Sequence, residues 1–421
     1  MEVKLSRKQT EVGLIPEDWG TGPIRSFAEV RGRVGWRGYT KKDLVAYGPY
    51  AIGAKHIDSS NRLDLSEPTC ISRSKYVESP EIMVCTGDVL IVQRGTIGKL
   101  VLVDRPIGDA TINPSMVIIR THKVSPRFVA YYLLSHSGQR QILADTSTTG
   151  VPMISQRQIE SFLVPLPPTK AEQEAIAEAL GDADALIESL ERLVAKKRQL
   201  KQGAMRELLT GKKRLPGFSG KWEVKRLGTI GDISSAGVDK KSRPGETPIR
   251  LVNYLDVYRK DFLYSDDPCQ WVTAPPLQAR RCSVKKGDVF FTPSSETRDD
   301  IGISAVAMED IPDAAYSYHV VRLRLTEQWD LRFRNYAFKT RAFLDQAETL
   351  CDGSGTRYVI SQDKFKGMTV NVPCIREQTA IATILFDMDA EIAGLETKLA
   401  KTRQLKQGMM QELLTGRIRL V

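Results

Sequence analysis

The residues best placed to do chemistry in this chain fall short of a catalytic set. An adenine-methylating enzyme holds its target amine with an acidic or amide residue followed by Pro-Pro and an aromatic, and needs a glycine-rich turn for its cofactor. The nearest segments are Asn113-Pro114-Ser115-Met116 and Gly353-Ser354-Gly355, and neither fits. No Walker loop and no H-E-x-x-H occurs. The acid pairs Asp266-Asp267 and Asp299-Asp300 could carry Mg²⁺ for a nuclease, but adjacent residues on a strand or loop point apart, and no lysine stands at a fitting distance. His56, His122, His136 and His319 are isolated and read as surface or satisfied core residues. Cys70, Cys85, Cys269, Cys282, Cys351 and Cys374 lack zinc spacing and read as reduced.

A second chemistry is better represented, that of holding DNA. Arginine can bridge guanine O6 and N7, small residues let the backbone approach, and Ser, Thr and Lys anchor phosphates. Such residues gather in the first part of the chain at Arg31, Arg33, Trp36, Arg37 and Tyr39, at Arg94 and Thr96, and in the Thr146 to Gly150 stretch around Thr148. In the second part they gather at Lys240, Lys241 and Arg243, at Ser294, Ser295 and Arg298, and at Thr356 and Arg357. Each alone is compatible with a solvated loop; as a set they read as a binding surface. A net charge of +10 points the same way, and residues 1–170 hold most of the excess, with 22 basic against 16 acidic side chains.

The elements that must position these loops are announced by an internal repeat. Residues 172–215 match 377–420 at a constant offset of 205, with about 28 of 44 positions identical. Apolar residues recur at spacings of four and three: Ile176, Leu180, Ala183, Ile187, Leu190 and Val194 in the first copy, Ile381, Leu385, Met388, Ile392, Leu395 and Leu399 in the second. That pattern, free of proline, predicts one long helix per copy, about 60 Å if some 40 residues are helical. A stripe this narrow needs a partner helix. Acids lead (Glu172, Glu174, Glu178, Asp182, Asp184) and bases follow (Lys196, Lys197, Arg198, Lys201), a polarity that suits the helix dipole and an antiparallel neighbour; a solvated charge run is the alternative. A Thr-Gly pair ends each copy, glycine fitting the left-handed position there.

Fainter landmarks repeat between the helices. Trp19 corresponds to Trp222, Gly87-Asp88-Val89 to Gly287-Asp288-Val289, and Ile154-Ser155-Gln156 to Ile360-Ser361-Gln362. Between them the two parts diverge almost completely, as a shared scaffold carrying two different readers would. The expected architecture is α+β, a pseudo-twofold repeat of globular domain (1–170), helix (171–215), domain (216–370) and helix (371–421), the helices pairing as an antiparallel coiled coil. No apolar run reaches the ~18 residues of a membrane span and the polar start lacks a signal core, so a soluble, cytoplasmic chain is expected.

With these residues in view, the chain resembles the specificity subunits of type I restriction-modification systems over nearly its whole length. The carriers are Glu172-Gln173 with Ile176-Ala177 and Glu377-Gln378 with Ile381-Ala382 after proline-containing strand ends, the L-K-Q-G and L-L-T-G endings, the G-D-V turns, Arg94-Gly95-Thr96-Ile97-Gly98 and the Ile-Ser-Gln landmarks. Ser294-Ser295-Glu296-Thr297 replaces Arg94-Gly95-Thr96-Ile97 in the second domain, so the role of Arg94 does not carry over by position. The resemblance implies a non-catalytic subunit in which each target-recognition domain reads one half of a split, asymmetric site in double-stranded DNA. It also implies two methyltransferase subunits and restriction subunits as partners, with S-adenosylmethionine, ATP and Mg²⁺ bound there and no cofactor, metal or membrane contact here. The contrasting readings are a stand-alone nuclease or methyltransferase fragment, which the missing motifs oppose, and a coiled-coil scaffold that binds no DNA.

Overall fold

The computed structural model describes residues 6–33, 38–144, 146, 150–354 and 357–420. Two helices of 39 residues each, α1 (Lys170–Leu208) and α2 (Ile375–Leu413), account for the repeat. The chain forms two compact units that do not follow chain order. The first comprises Met1–Glu191 and Thr397–Val421, the second Arg192–Glu396. Each helix therefore starts in one unit and ends in the other, and each unit joins a globular part to the first half of its own helix and the last half of the other.

In the first unit the strand Val89–Val92 is buried on both faces, which its unbroken apolar sequence VLIV requires. It lies in an antiparallel sheet ordered Ala28–Gly32, Met116–Thr121, Val89–Val92, Leu100–Leu102. Its side chains alternate with a period of two: Val89 and Ile91 enter a core shared with helices, while Leu90 and Val92 enter a core shared with Ile52 and Ile112. Those two residues belong to a smaller sheet, Cys70–Ile71, Leu44–Ile52, Ala110–Ile112, whose last pair is parallel.

The second unit repeats the plan. Val289–Phe291 is again internal, in a sheet ordered Gly231–Ser234, Val321–Leu325, Val289–Phe291, Ser304–Ala307, Phe262–Leu263. Val289 and Phe291 face the helical core and Phe290 faces the other. The accompanying sheet runs Gln270–Ala274, Thr247–Val252, Ile311–Tyr316, Ser283–Val284, with Thr247–Val252 and Ile311–Tyr316 parallel.

Every stripe position on the two helices is buried or half-buried. Ile176 and Leu180 enter the first unit's core together with Leu413 and Leu414; Ile381 and Leu385 enter the second unit's together with Leu208 and Leu209. At each helix start the stripe thus meets both the end of the partner helix and a globular domain, and a four-and-three spacing does not distinguish the two kinds of partner. Farther along, the pairing is antiparallel. Within the first unit Lys406 reaches Asp184 (2.6 Å) and Arg403 reaches Glu191 (2.7 Å). Within the second, Lys197 pairs with Glu391 (2.6 Å), Arg198 with Glu396 (2.5 Å), and Lys201 with Asp389. Of the basic run only Lys196 is left as an exposed charge outside these pairs.

The helix ends explain two landmarks. Gly211 and Gly416 have φ of +69° and +64°, as expected of the Thr-Gly stops. A side chain at Gly416 would stand 3.1 Å from the Trp19 ring and one at Gly211 3.5 Å from the Trp222 ring. Each tryptophan thus marks the seat of the helix end that its unit receives from the other copy.

Candidate nucleic-acid interface

The loops that could meet DNA rise from a framework that the two units share to the level of single hydrogen bonds. Asp88 and Asp288 are both 1% exposed. Each carboxylate accepts from the backbone N–H three residues before it (Cys85, 2.7 Å; Lys285, 2.8 Å) and from both Nε and Nη2 of one arginine, Arg120 or Arg324. A bidentate pair of this kind fixes the strand as well as neutralising the acid. The Glu-Gln pair at each helix start is equally committed. Glu172 and Glu377, also 1% exposed, hold Arg419 and Arg214, and Gln173 and Gln378 accept from the backbone N–H of Ser125 and Asp330 (2.9 and 3.0 Å). These buried charges are structural.

In the first unit, two of the candidate stretches meet around Pro114. Arg94 and Thr96 are exposed, and Arg94 is bridged to Met153, with Gly95 N donating to the Pro152 carbonyl at 2.9 Å. The neighbouring Gln93 donates its Nε2 to the Pro114 carbonyl (3.0 Å), and a side chain on Gly38 would stand 3.3 Å from Pro114. Tyr39 packs half-buried against Ala51, Ile71 and Tyr76. Arg31 sits on the edge strand Ala28–Gly32 and pairs with Glu29. Arg33 is not on the outer face: it is buried, its Nε donates to the Ile112 carbonyl at 3.1 Å, and burial pulls its guanidinium below the usual range. Trp36, Arg37 and Thr148 lie outside the described residues.

The second unit gathers its candidates more tightly. Ser294–Ser295, Arg357–Val359 and Asp352–Ser354 form a three-stranded sheet. Arg357 reaches the Ser294 hydroxyl (3.3 Å), and Arg298 lies over the Tyr358 ring, 4.8 Å from its centre. Ser294 itself is buried, so its hydroxyl serves the sheet. Lys240, Lys241 and Arg243 are exposed, and Arg243 N is fixed by Thr273 Oγ1 at 2.7 Å. Thr356 lies outside the described residues.

Three tyrosines not singled out in the sequence, Tyr254, Tyr258 and Tyr318, join this cluster, as does His319, which the sequence presents as a surface or satisfied core residue. Tyr254, whose pKa burial raises with Ser295 opposing, stacks on Tyr258, whose hydroxyl donates to Asp300 (3.0 Å). Tyr318 and His319 lie beside the 238–240 segment, Val238 N donating to the Tyr316 carbonyl (2.9 Å) and Tyr318 N to the Val238 carbonyl (3.1 Å). Burial, with Lys240 and Arg357 next, lowers the His319 pKa, Asp239 opposing. The usable signal was positional: Asn113-Pro114-Ser115-Met116 and Ser317-Tyr318-His319-Val320 lead into corresponding strands that share Val117/Val321 and Arg120/Arg324. With no residue shared inside the turn, only the backbone shows the match.

Two units of one plan, each a mainly antiparallel sheet between a helical layer and a smaller sheet, define a duplicated recognition fold. The chain belongs to the family described as the type I restriction modification DNA specificity domain, which matches residues 16–201 and again 219–404. It is 23% identical over 438 residues to the putative type I restriction enzyme MjaX specificity subunit of Methanocaldococcus jannaschii, covering 98% of this chain and 96% of that one. It is 24% identical over 216 residues to the MjaVIII specificity subunit of the same organism, half of each chain being covered. Among solved structures, the S subunit of a type I restriction-modification system from M. genitalium superposes with a TM-score of 0.57 at 16% identity, covering 94% of this chain and 96% of the other. A chain of the type I R-M system, solved to show complex assembly and conformational transition, gives 0.56 at 17%, covering 96% and 99%. These similarities establish the shared fold. Among the described residues no helix is long and apolar enough to cross a membrane, and no group of three metal-ligating side chains gathers.

Proposed function

We propose that the chain reads a bipartite, asymmetric site in double-stranded DNA, one half-site per unit, and carries no catalytic centre. The observation that supports this best is the pairing of one framework, the Asp88–Arg120 and Asp288–Arg324 brackets, with two unlike sets of exposed loops. Arg94 and Thr96 lead the first set; Lys240, Lys241, Arg243, Arg298 and Arg357 lead the second. Arg94 and the shorter polar side chains reach base edges while the other cations anchor phosphates. Two methyltransferase subunits dock on the framework and supply S-adenosylmethionine, and restriction subunits bring ATP- and Mg²⁺-dependent cleavage. The target adenine turns into a partner's pocket.

The test is a gel-shift titration in several salt concentrations, followed by mapping of methylated adenines produced by the chain with its methyltransferase partners. Binding should weaken steeply with salt, because phosphate contacts release counterions, and the marks should fall in a split motif. Methyl transfer by the chain alone, or salt-insensitive binding, would overturn the reading.

A further inference from the structure

The reading turn of the second unit can be located by comparing how one backbone device is used twice. After the parallel strand of each smaller sheet the chain makes the same tight turn. Asn113 N donates to the Ile52 carbonyl (2.8 Å) and Met116 N to the Asn113 carbonyl (3.1 Å); Ser317 N donates to the Val252 carbonyl (2.9 Å) and Val320 N to the Ser317 carbonyl (3.1 Å). A side-chain oxygen at the first position accepts from the third residue in both: Asn113 Oδ1 from Ser115 N (3.0 Å) and Ser317 Oγ from His319 N (3.2 Å). Pro114-Ser115 and Tyr318-His319 therefore occupy equivalent tips.

What the tips offer is opposite. In the first unit the Ser115 hydroxyl is spent on Asn113 Oδ1 (2.7 Å), its carbonyl on Gln93 N (2.8 Å), and the Pro114 carbonyl on the Gln93 side chain. That turn is closed, and the exposed group beside it is Arg94. In the second unit the residue in the place of Gln93 is Pro293, as the matching bonds from Ile154 N to the Gln93 carbonyl and from Ile360 N to the Pro293 carbonyl show (both 2.9 Å). Proline has no N–H to close the turn, and the residue in the place of Arg94 is the buried Ser294. The tip is then Tyr318, 45% exposed, with its ring 4.0 Å from that of His319. Lys240 and Arg357, from two other segments, lie close enough for their charges to act on the imidazole.

We infer that Tyr318 and His319 are specificity-determining residues of the second unit, contacting base edges in the place that Arg94 serves in the first, while Lys240 and Arg357 hold the adjoining phosphates. A tyrosine hydroxyl and a neutral imidazole each present both a donor and an acceptor, which suits base edges better than phosphates. The inference rests on the DNA-reading function proposed above.

The experiment uses the full chain with its methyltransferase partners and compares methylated-site maps for the wild type, Tyr318→Phe, His319→Asn and His319→Ala. Lys240→Ala serves as a phosphate-contact control, and thermal melting confirms folding of each variant. The half-site of the second unit is identified by exchanging residues 216–370 for those of a relative. His319→Ala should relax one or two positions of that half-site by about 5- to 100-fold, leaving the other half and the salt dependence unchanged. Tyr318→Phe and His319→Asn, which nearly preserve shape, should shift preference at the same positions. Lys240→Ala should weaken all sequences alike and flatten the salt slope. An unchanged motif in folded His319→Ala and Tyr318→Phe would overturn the inference, as would a uniform loss of affinity with a shallower salt slope, which marks a phosphate anchor. A wild-type complex that marks no split site would overturn the DNA-reading function, and the inference with it.

Discussion

His56, buried as expected of an isolated histidine, has a capping task that its residue type does not announce. Its Nδ1 accepts the Gly53 N–H at 3.0 Å and closes a short helical turn, a task that the Asp256 carboxylate performs on Asn253 N (2.8 Å) in the second unit. A cap of this kind requires the neutral ring. Burial, with Lys55 next, sets the His56 pKa below the ordinary value of about 6.5. The cap therefore contributes fully above the unfolded value and is lost as pH falls through the lower folded one. Wild-type melting temperature should drop between pH 7.5 and pH 5 more than that of His56→Gln; equal slopes would show that the cap contributes nothing. Asp88 is the opposite case, a residue flagged only as a turn landmark. Asp88→Ala would strand Arg120 and cost about 3 kcal/mol or more, to be measured by denaturant titration, whereas an exposed ion pair such as Arg198–Glu396 is worth under about 1 kcal/mol.

At the scale of elements, α1 and α2 are the segments that begin in one unit and end in the other, so the gap between half-sites should follow their length. Leu208 and Leu209 are buried in the second unit's core and Leu413 and Leu414 in the first's, so the ends cannot be lengthened without disturbing a domain. A matched insertion of four helix-forming residues after Glu191 and after Glu396 avoids those cores. It adds about 6 Å and roughly 40° of rotation per helix, the size of one to two base-pair steps of ~3.4 Å. Methylated-site mapping should return both half-sites unchanged with a gap longer by one or two. An unchanged gap would remove the helices from this role.

For the whole molecule, the exchange of helix ends makes distant mutations act on unexpected domains. Arg419, near the C-terminus, pairs with the buried Glu172 and with Asp18 (3.0 Å) in the N-terminal unit. Arg214, in mid-chain, pairs with Glu377 (2.6 Å) in the second. Arg419→Ala should lower the protection of first-unit amides such as Val89–Val92 in hydrogen exchange, and Arg214→Ala that of Val289–Phe291. Either glutamate left buried and unpaired would cost about 3 to 5 kcal/mol. Equal loss in both strands for either variant would show that the units do not respond separately.

The duplicated helix, its stops at Thr210-Gly211 and Thr415-Gly416, and the family were legible in the sequence, because helical periodicity and a terminal left-handed glycine are local properties of the chain. The landmarks Trp19, Asp88 and Glu172 were legible as repeats but not as contacts. Their partners Gly416, Arg120 and Arg419 are distant in sequence, and charge or apolarity alone does not say which of many complements a side chain will meet. Tertiary structure decided the rest. It placed Arg33 and Ser294 inside, left Arg94 outside, and set Tyr318 and His319 on a turn whose equivalence to Asn113-Pro114-Ser115-Met116 lies in backbone hydrogen bonds. A turn of that kind constrains φ, ψ and one acceptor at its first position while leaving the tip residues free, so two tips with the same fold share no side chain that a sequence comparison could align.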